Sequence, residues 1–349
     1  MTDGPSSQRI TVVIATHKRP DALTTALTSL QQQTLPVASF DVAIVIDGID
    51  ESERQYREVL ERAVRQVPFT LRYEFQENAG QSVARHRAIV AATTPWICVI
   101  DDDMDLLPEF LAAHVEALTT GGSKTVVIGR VIPEDDWERA PLYEAVRTSH
   151  MLEWHEEMGS GAKQPTGFTL VTQNVAFGRA FYLEVGGFDE RLRLGEDSEL
   201  GLRFELAGGH FVFASKAAAI HRSRVGSYAA WLRRCIEYGR SGVYIYEKLG
   251  HDSRANPLRN LVKGSRLNAL AVHTLCWSDP LAQSGIATLS ATGNALQKIG
   301  LTQPAIATHK AILAIAYYLG VKSSLGSWRR VMDAKRAFAA TQGAPQEPT

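Results

Sequence analysis

The chain has 349 residues, 45% hydrophobic and 21% charged, and 37 Lys and Arg against 38 Asp and Glu leave a formal net charge of -1. That length suits one large domain with an extension, or two domains. The balanced charge excludes the strongly basic surface of a nucleic-acid binder, so no nucleic-acid partner is expected.

The polar residues 1–8 carry no signal-peptide core and read as a disordered start. Ile10–Ala15 is a β-branched run and a predicted strand. After a polar loop, a helix is predicted from Asp21 or Ala22 to about Gln33, with Leu23, Ala26, Leu27 and Leu30 on one face. A strand over Phe40–Ile46 runs into Asp47-Gly48, and a charged amphipathic helix is expected over Glu51–Val67. Leu71–Phe75 is the third strand, Asn78-Ala79-Gly80 a loop, Ser82–Ala92 a helix and Trp96–Ile100 the fourth strand. Four strands alternating with three helices imply a mostly parallel sheet covered by helices on both faces.

The rhythm then loosens. A strand is predicted over Thr125–Val131, while residues 133–164 are charged, aromatic and poorly periodic, as in a lid or an acceptor-side insertion. Gly167–Phe177 is strand-like, Arg179–Val185 a short helix, Gly186-Gly187-Phe188-Asp189 a turn and Glu196–Leu206 a helix. His210–Phe213 and Ala217–Ile220 read as two strands. Ser227–Lys248 reads as an amphipathic helix, 257–340 as a helical extension and 341–349 as a disordered tail. Cys98, Cys235 and Cys276 have no metal spacing and read as reduced thiols of a cytoplasmic protein. The apolar run Ala311–Val321 is shorter than the ~20 residues that span a bilayer. Apolar residues flanked by Lys322, Arg329, Arg330, Lys335 and Arg336 leave three readings of Lys310–Arg336: packing on its own domain, peripheral membrane contact, or a homo-oligomer interface.

The chemistry concentrates in Val99-Ile100-Asp101-Asp102-Asp103-Met104-Asp105, an apolar strand ending in four carboxylates. Like charges this close repel, and a divalent cation relieves the repulsion. Oxygen ligands suit Mg²⁺ or Mn²⁺, which often also hold substrate phosphates. Acids at a helix start are the alternative, but the preceding strand places these at the carboxyl edge of a sheet, where ligands bind. Around this cluster stand weaker signals. Asp47 at a strand end suits a ribose or base N–H, or an ordinary turn. Arg85, one turn into the helix after Gly80, suits a phosphate or the solvent. A carboxylate in Glu196-Asp197-Ser198-Glu199 suits a general base or a helix N-terminus. His221 suits a metal nitrogen ligand, with Arg222 or Arg224 clamping a diphosphate.

Taken in order, Ile14-Ala15-Thr16-His17-Lys18-Arg19-Pro20, Val45-Ile46-Asp47-Gly48, Asn78 to Arg85, Val99 to Asp103, Gly186 to Glu190 and Glu196 to Leu200 resemble glycosyltransferase family 2 over residues 9–225. The resemblance implies an α/β GT-A fold, Rossmann-like and nucleotide-binding, followed by a C-terminal helical extension over 226–340. It implies that Thr16, Arg19, Asp47 and Arg85 contact the nucleotide. Asp101 and Asp103 match the DxD motif, with Asp103 on the metal, Asp101 on ribose or metal and Asp102 between them in the donor site. Asn174 matches a position lining the sugar pocket, and His221 a metal-binding histidine. Asp197, with Glu196 beside it, matches the catalytic base. The expected reaction is a metal-dependent, inverting transfer from a nucleotide-diphosphate sugar to an acceptor hydroxyl. A nucleotidyltransferase, a non-catalytic sugar-nucleotide or glycan binder on the same fold, and an assembly role for the helical extension are the alternatives. His86 and Ala88 depart from the Asn and Gly of many members.

Overall fold

The computed structural model describes residues 9–222 and 226–342. Residues 1–8, most of the tail expected over 341–349, and Arg224 lie outside them. Two compact units form: the described residues of 1–138 with 148–224, and those of 139–147 with 225–349.

The first unit alternates β1 (Ile10–Thr16), α1 (Pro20–Leu30), β2 (Phe40–Asp47), α2 (Glu53–Gln66), β3 (Thr70–Gln76), α3 (Gln81–Ala91) and β4 (Trp96–Asp101). It continues through β5 (Met104–Leu106), α4 (Phe110–Gly121), β6 (Thr125–Pro133), residues 148–159 of α5 (Leu142–Gly159), whose first six residues belong to the second unit, β7 (Asn174–Gly178), α6 (Arg179–Glu184), α7 (Glu196–Leu206) and β8 (His210–His221). One eight-stranded sheet runs β3-β2-β1-β4-β7-β6-β8-β5. β7 and β5 alone oppose the common direction, so the expected mostly parallel sheet is present.

The apolar runs are continuous because both faces are covered. Val12, Ile14, Val42, Ile44, Cys98 and Ile100 pack with Leu23, Tyr56 and Phe110 on one face. The alternate residues Val13, Val45, Ile97 and Val99 pack with Ile89, Tyr182 and Phe204 on the other. Three details differ from the expectations. Met104–Leu106 is a short strand that the sequence reading did not include. The aperiodic stretch contains an 18-residue helix. The two pieces expected at 210–220 are one strand, because the β6–β8 register jumps from Gly129↔Ala214 to Arg130↔Ala218 and so absorbs Ser215-Lys216-Ala217 as a bulge.

The second unit is helical: α8 (Tyr228–Lys248), α9 (Arg259–Lys263), α10 (Arg266–Leu275), α11 (Asp279–Lys298), α12 (Thr302–Leu325) and α13 (Trp328–Gln342). α12 is at its centre, packed on α8, α10, α11 and α13. Gly239 and Gly320 let α8 and α12 touch backbone to backbone: a Cβ on either would stand 1.9 Å from a carbonyl oxygen of the other helix. α12 is longer than the apolar run read from sequence, and it is long and apolar enough to cross a membrane. Half of its apolar window is nevertheless buried in this unit, with Ile312, Ile315, Tyr318 and Val321 in the core. The apolar residues of Lys310–Arg336 therefore turn mainly inward.

Candidate active site

β4 delivers its last residue, Asp101, to the carboxyl edge of the parallel strands, and Asp102 and Asp103 form the turn into β5. β5 then pairs with β8 so that Met104 lies opposite His221. The Arg222 backbone N–H donates to the Asp103 carbonyl at 2.8 Å. This short ladder is why a histidine 118 positions away in sequence meets the turn: His221 Nε2 stands 3.4 Å from Asp103 Oδ1.

The four acids have separate environments. Asp102 is fully buried, accepts from the Thr16 hydroxyl at 2.6 Å and lies 2.6 Å from Arg19 Nη2. Burial pushes its carboxyl up to about 7 against the opposing pull of Arg19. For Asp103 burial is again the largest influence and works upward, but His221 and Arg19 together outweigh it and hold the group below its ordinary value. Arg19 Nη1 donates to Asp103 Oδ2 at 2.6 Å. Asp101 takes the Arg85 guanidinium at 2.6 Å, and Asp105 takes Arg222 at 2.7 Å.

Arg85, 2% exposed, also donates to Glu196 at 3.1 Å. It thereby links the strand-end acids to the first turn of α7, as expected of a buried cation bracketed by carboxylates. That turn starts at Gly195, whose φ of +81° suits glycine. Gln81 donates to Glu196 at 2.6 Å. Burial raises both the Glu196 and the Asp197 carboxyl, and Asp197 adds to the shift of its neighbour. Asp197 Oδ1 accepts the Ser198 N–H at 2.7 Å, and the side chain is only half-buried. A partly open carboxyl with an elevated pKa is suited to holding a proton taken from a hydroxyl.

Two expected contact residues are engaged internally. Asp47 accepts from Gln76 at 2.8 Å and from the backbone N–H groups of Ala79 and Gly80 at 2.8 and 2.9 Å. It fixes the loop that starts α3 and so aims Arg85. Asn174, which the resemblance sets beside the sugar pocket, is fully buried. Its amide nitrogen donates to the carbonyls of Arg130 and Ala217 at 3.1 and 2.9 Å, groups beside the β6–β8 bulge. Its Oδ1 therefore accepts from His114 Nε2 at 2.8 Å, and burial holds His114 neutral by lowering its pKa to about 4. Gly129 leaves room for this amide, since a Cβ there would stand 2.2 Å from Asn174 Oδ1. Asn174→Ala is expected to unpair His114 and two carbonyls, at about 1–3 kcal/mol per unsatisfied group. A lowered thermal midpoint with an unchanged donor KM is the expected result.

Sequence reasoning missed Tyr56 and Gln173. The Tyr56 hydroxyl accepts the Arg19 N–H at 2.8 Å and bonds Thr16 Oγ1 at 2.7 Å, so it shapes the first loop from α2. The signal was available: Tyr56 and Leu60 are the buried i,i+4 pair of a helix rich in charged residues, and a buried phenol needs a partner. Gln173 Nε2 lies 3.3 Å from His221 Nε2, and nothing in sequence pairs these two.

The residues present fit a divalent cation. Asp103 Oδ1 is buried and accepts no hydrogen bond, while an imidazole nitrogen faces it. Among the described residues no group of three or more His, Cys, Asp or Glu side chains closes a metal cage. Asp103 and His221 would supply only part of a coordination shell, the rest of an Mg²⁺-type site coming from phosphates and water.

A doubly wound sheet with a carboxylate turn at its switch point defines an α/β protein of GT-A type, and the comparisons agree. A family model described as glycosyltransferase like family 2 matches residues 7–237; the chain belongs to glycosyltransferase family 2. It is 28% identical over 223 residues to validoxylamine A glucosyltransferase of Streptomyces hygroscopicus subsp. jinggangensis, covering 57% of this chain and 52% of that protein. It is 24% identical over 184 residues to glucosyl-dolichyl phosphate glucuronosyltransferase of Haloferax volcanii, covering 52% and 56%. The chain spans about half the length of these curated relatives. In fold it resembles mannosyltransferase PcManGT from Pyrobaculum calidifontis, solved in complex with GDP-Man and Mn²⁺, with a TM-score of 0.61 at 18% identity over 89% of this chain and 86% of the other.

Proposed function

We propose that the chain is a glycosyltransferase that moves a sugar from a nucleoside diphosphate sugar to an acceptor hydroxyl with inversion, using residues 9–225 for catalysis. The observation that carries this reading is the Asp103–His221 pair. A buried carboxylate oxygen accepting no hydrogen bond faces an imidazole nitrogen at the end of β4, and Arg85 ties that strand end to the carboxylates of α7. Asp103 and His221 hold Mn²⁺ or Mg²⁺, which when bound offsets charge on the leaving diphosphate. The Mn²⁺ and GDP-Man in the archaeal mannosyltransferase complex support that assignment.

In this reading the half-buried Asp197 accepts the acceptor's proton as its oxygen attacks the anomeric carbon, and a single displacement inverts that carbon. Arg85 and Glu196 hold the base in place. Thr16 and Arg19 shape the nucleotide side through Tyr56 and Asp102, and Asp47 does so by fixing the loop before α3.

The test is incubation with a panel of nucleoside diphosphate sugars and a simple glycoside acceptor, with and without Mn²⁺. Release of a nucleoside diphosphate with a new glycosidic bond, only when metal is present, is expected. Pyrophosphate release would instead reveal nucleotidyl transfer, and a bound but intact donor a binding protein; either overturns the proposal.

A further inference from the structure

The helical unit displays apolar side chains away from its core. Leu267 and Leu270, three apart on α10, are 77% and 61% exposed, and Trp277, in the turn after α10, is 62% exposed. Meanwhile α10 packs inward through Val272, and Cys276 is buried behind it. Three large apolar residues within eleven positions, left in water by a helix with its own core face, are a costly surface unless something covers it.

The charge around them identifies what does. Residues 253–278 contain Arg254, Arg259, Lys263 and Arg266 and no Asp or Glu. Arg254 pairs with Asp252, but Arg259, Lys263 and Arg266 are exposed and have no ion-pair partner among the described residues. α13 packs against α9 and adds Lys335, set 2.8 Å from His273 of α10, so this side carries further positive charge.

We propose that this face of α9 and α10 docks on an anionic lipid surface, with Leu267, Leu270 and Trp277 entering the headgroup boundary and Arg259, Lys263 and Arg266 meeting lipid phosphates. Leucine and tryptophan beside Lys and Arg is the pattern of an interfacial helix, and an anionic leaflet attracts Lys and Arg held near its surface. A second copy of the chain fits less well. A two-fold contact sets the same patch on both partners, which would bring these unpaired cations together. Nucleic acid would meet the cations but leave the leucines uncovered. The apolar residues of the surface lie outside the Lys310–Arg336 stretch, whose own apolar residues fill the unit's core.

The experiment is co-sedimentation of the full chain with vesicles of phosphatidylcholine alone and with 30% phosphatidylglycerol. Trp277 emission provides a second readout, taken as the difference from Trp277→Phe. Partition to the anionic vesicles only, weakening with salt, is expected. Lys263→Glu with Arg266→Glu should cut it about tenfold or more, as should Leu267→Ser with Leu270→Ser. These residues are exposed, so each variant should keep its thermal midpoint and its donor turnover. Absence of binding to anionic vesicles at low salt overturns the proposal. So does concentration-dependent dimerisation abolished by Leu267→Ser with Leu270→Ser, or binding to RNA that the leucine variants leave unchanged.

Discussion

Asp197→Asn is expected to retain donor and metal binding while lowering turnover by about 10²–10⁴-fold, the usual contribution of a positioned general base. The amide keeps the shape of the carboxylate and still accepts the Ser198 N–H, but it cannot take the acceptor's proton. Because burial raises the Asp197 carboxyl, the pH dependence has a definite sign. The base works deprotonated, so kcat/KM rises with pH on the acid limb. That limb lies above the ordinary carboxylate range and disappears in the asparagine variant. Glu196→Gln provides the contrast. It also removes a raised carboxyl, but one turned towards Arg85 and Gln81; its loss should be smaller and should leave the acid limb in place. Equal losses for the two variants, or full turnover in Asp197→Asn, would remove Asp197 from the chemistry. Isothermal binding of the donor separates these outcomes from misfolding.

The sequence made the sheet legible because its strands are buried on both faces and therefore read as unbroken apolar runs, with turn residues between them. Helix α7 was equally plain: Gly195, three acids and a periodic Leu200–Phe204 stretch mark a start and a buried face. What remained hidden depends on tertiary pairing. β5 is three residues long, below the length at which alternation can be seen, and it is a strand only because β8 lies beside it. β8 looked broken because Ser215 and Lys216 interrupt its apolar pattern, and a bulge is invisible until β6 is in register. The resemblance set Asn174 beside the sugar pocket, but the partners it has here, carbonyls beside that bulge and a histidine from α4, come together only in the folded chain. The donor-side residues were legible as types, but their divisions of labour were not. Asp47 anchors the loop before α3, and Arg85 links two acidic segments.

Within the acidic turn, single substitutions should have very unequal effects. Asp103→Ala is expected to abolish metal-dependent donor binding and to cost about 10³-fold or more in turnover, because charge stabilisation by a bound metal is worth several kcal/mol. Asp105→Ala should change turnover little, since its carboxylate, on β5, is paired with Arg222 just after β8. Asp102→Asn should act on stability as well as activity, because that side chain is sealed between Thr16 and Arg19. His221→Ala should leave the maximal rate within reach but raise the Mn²⁺ concentration needed for half-activity. The Asp103 carboxylate remains, while the imidazole that faces it is gone. Mn²⁺ titrations of donor-induced thermal shift across these four variants provide the measurement: a ligand at one hundred times its Kd adds ~2.7 kcal/mol to apparent stability. Retention of the metal-dependent shift by Asp103→Ala, with its loss in Asp105→Ala, would move the metal site two residues along the chain and detach it from the Asp103–His221 pair.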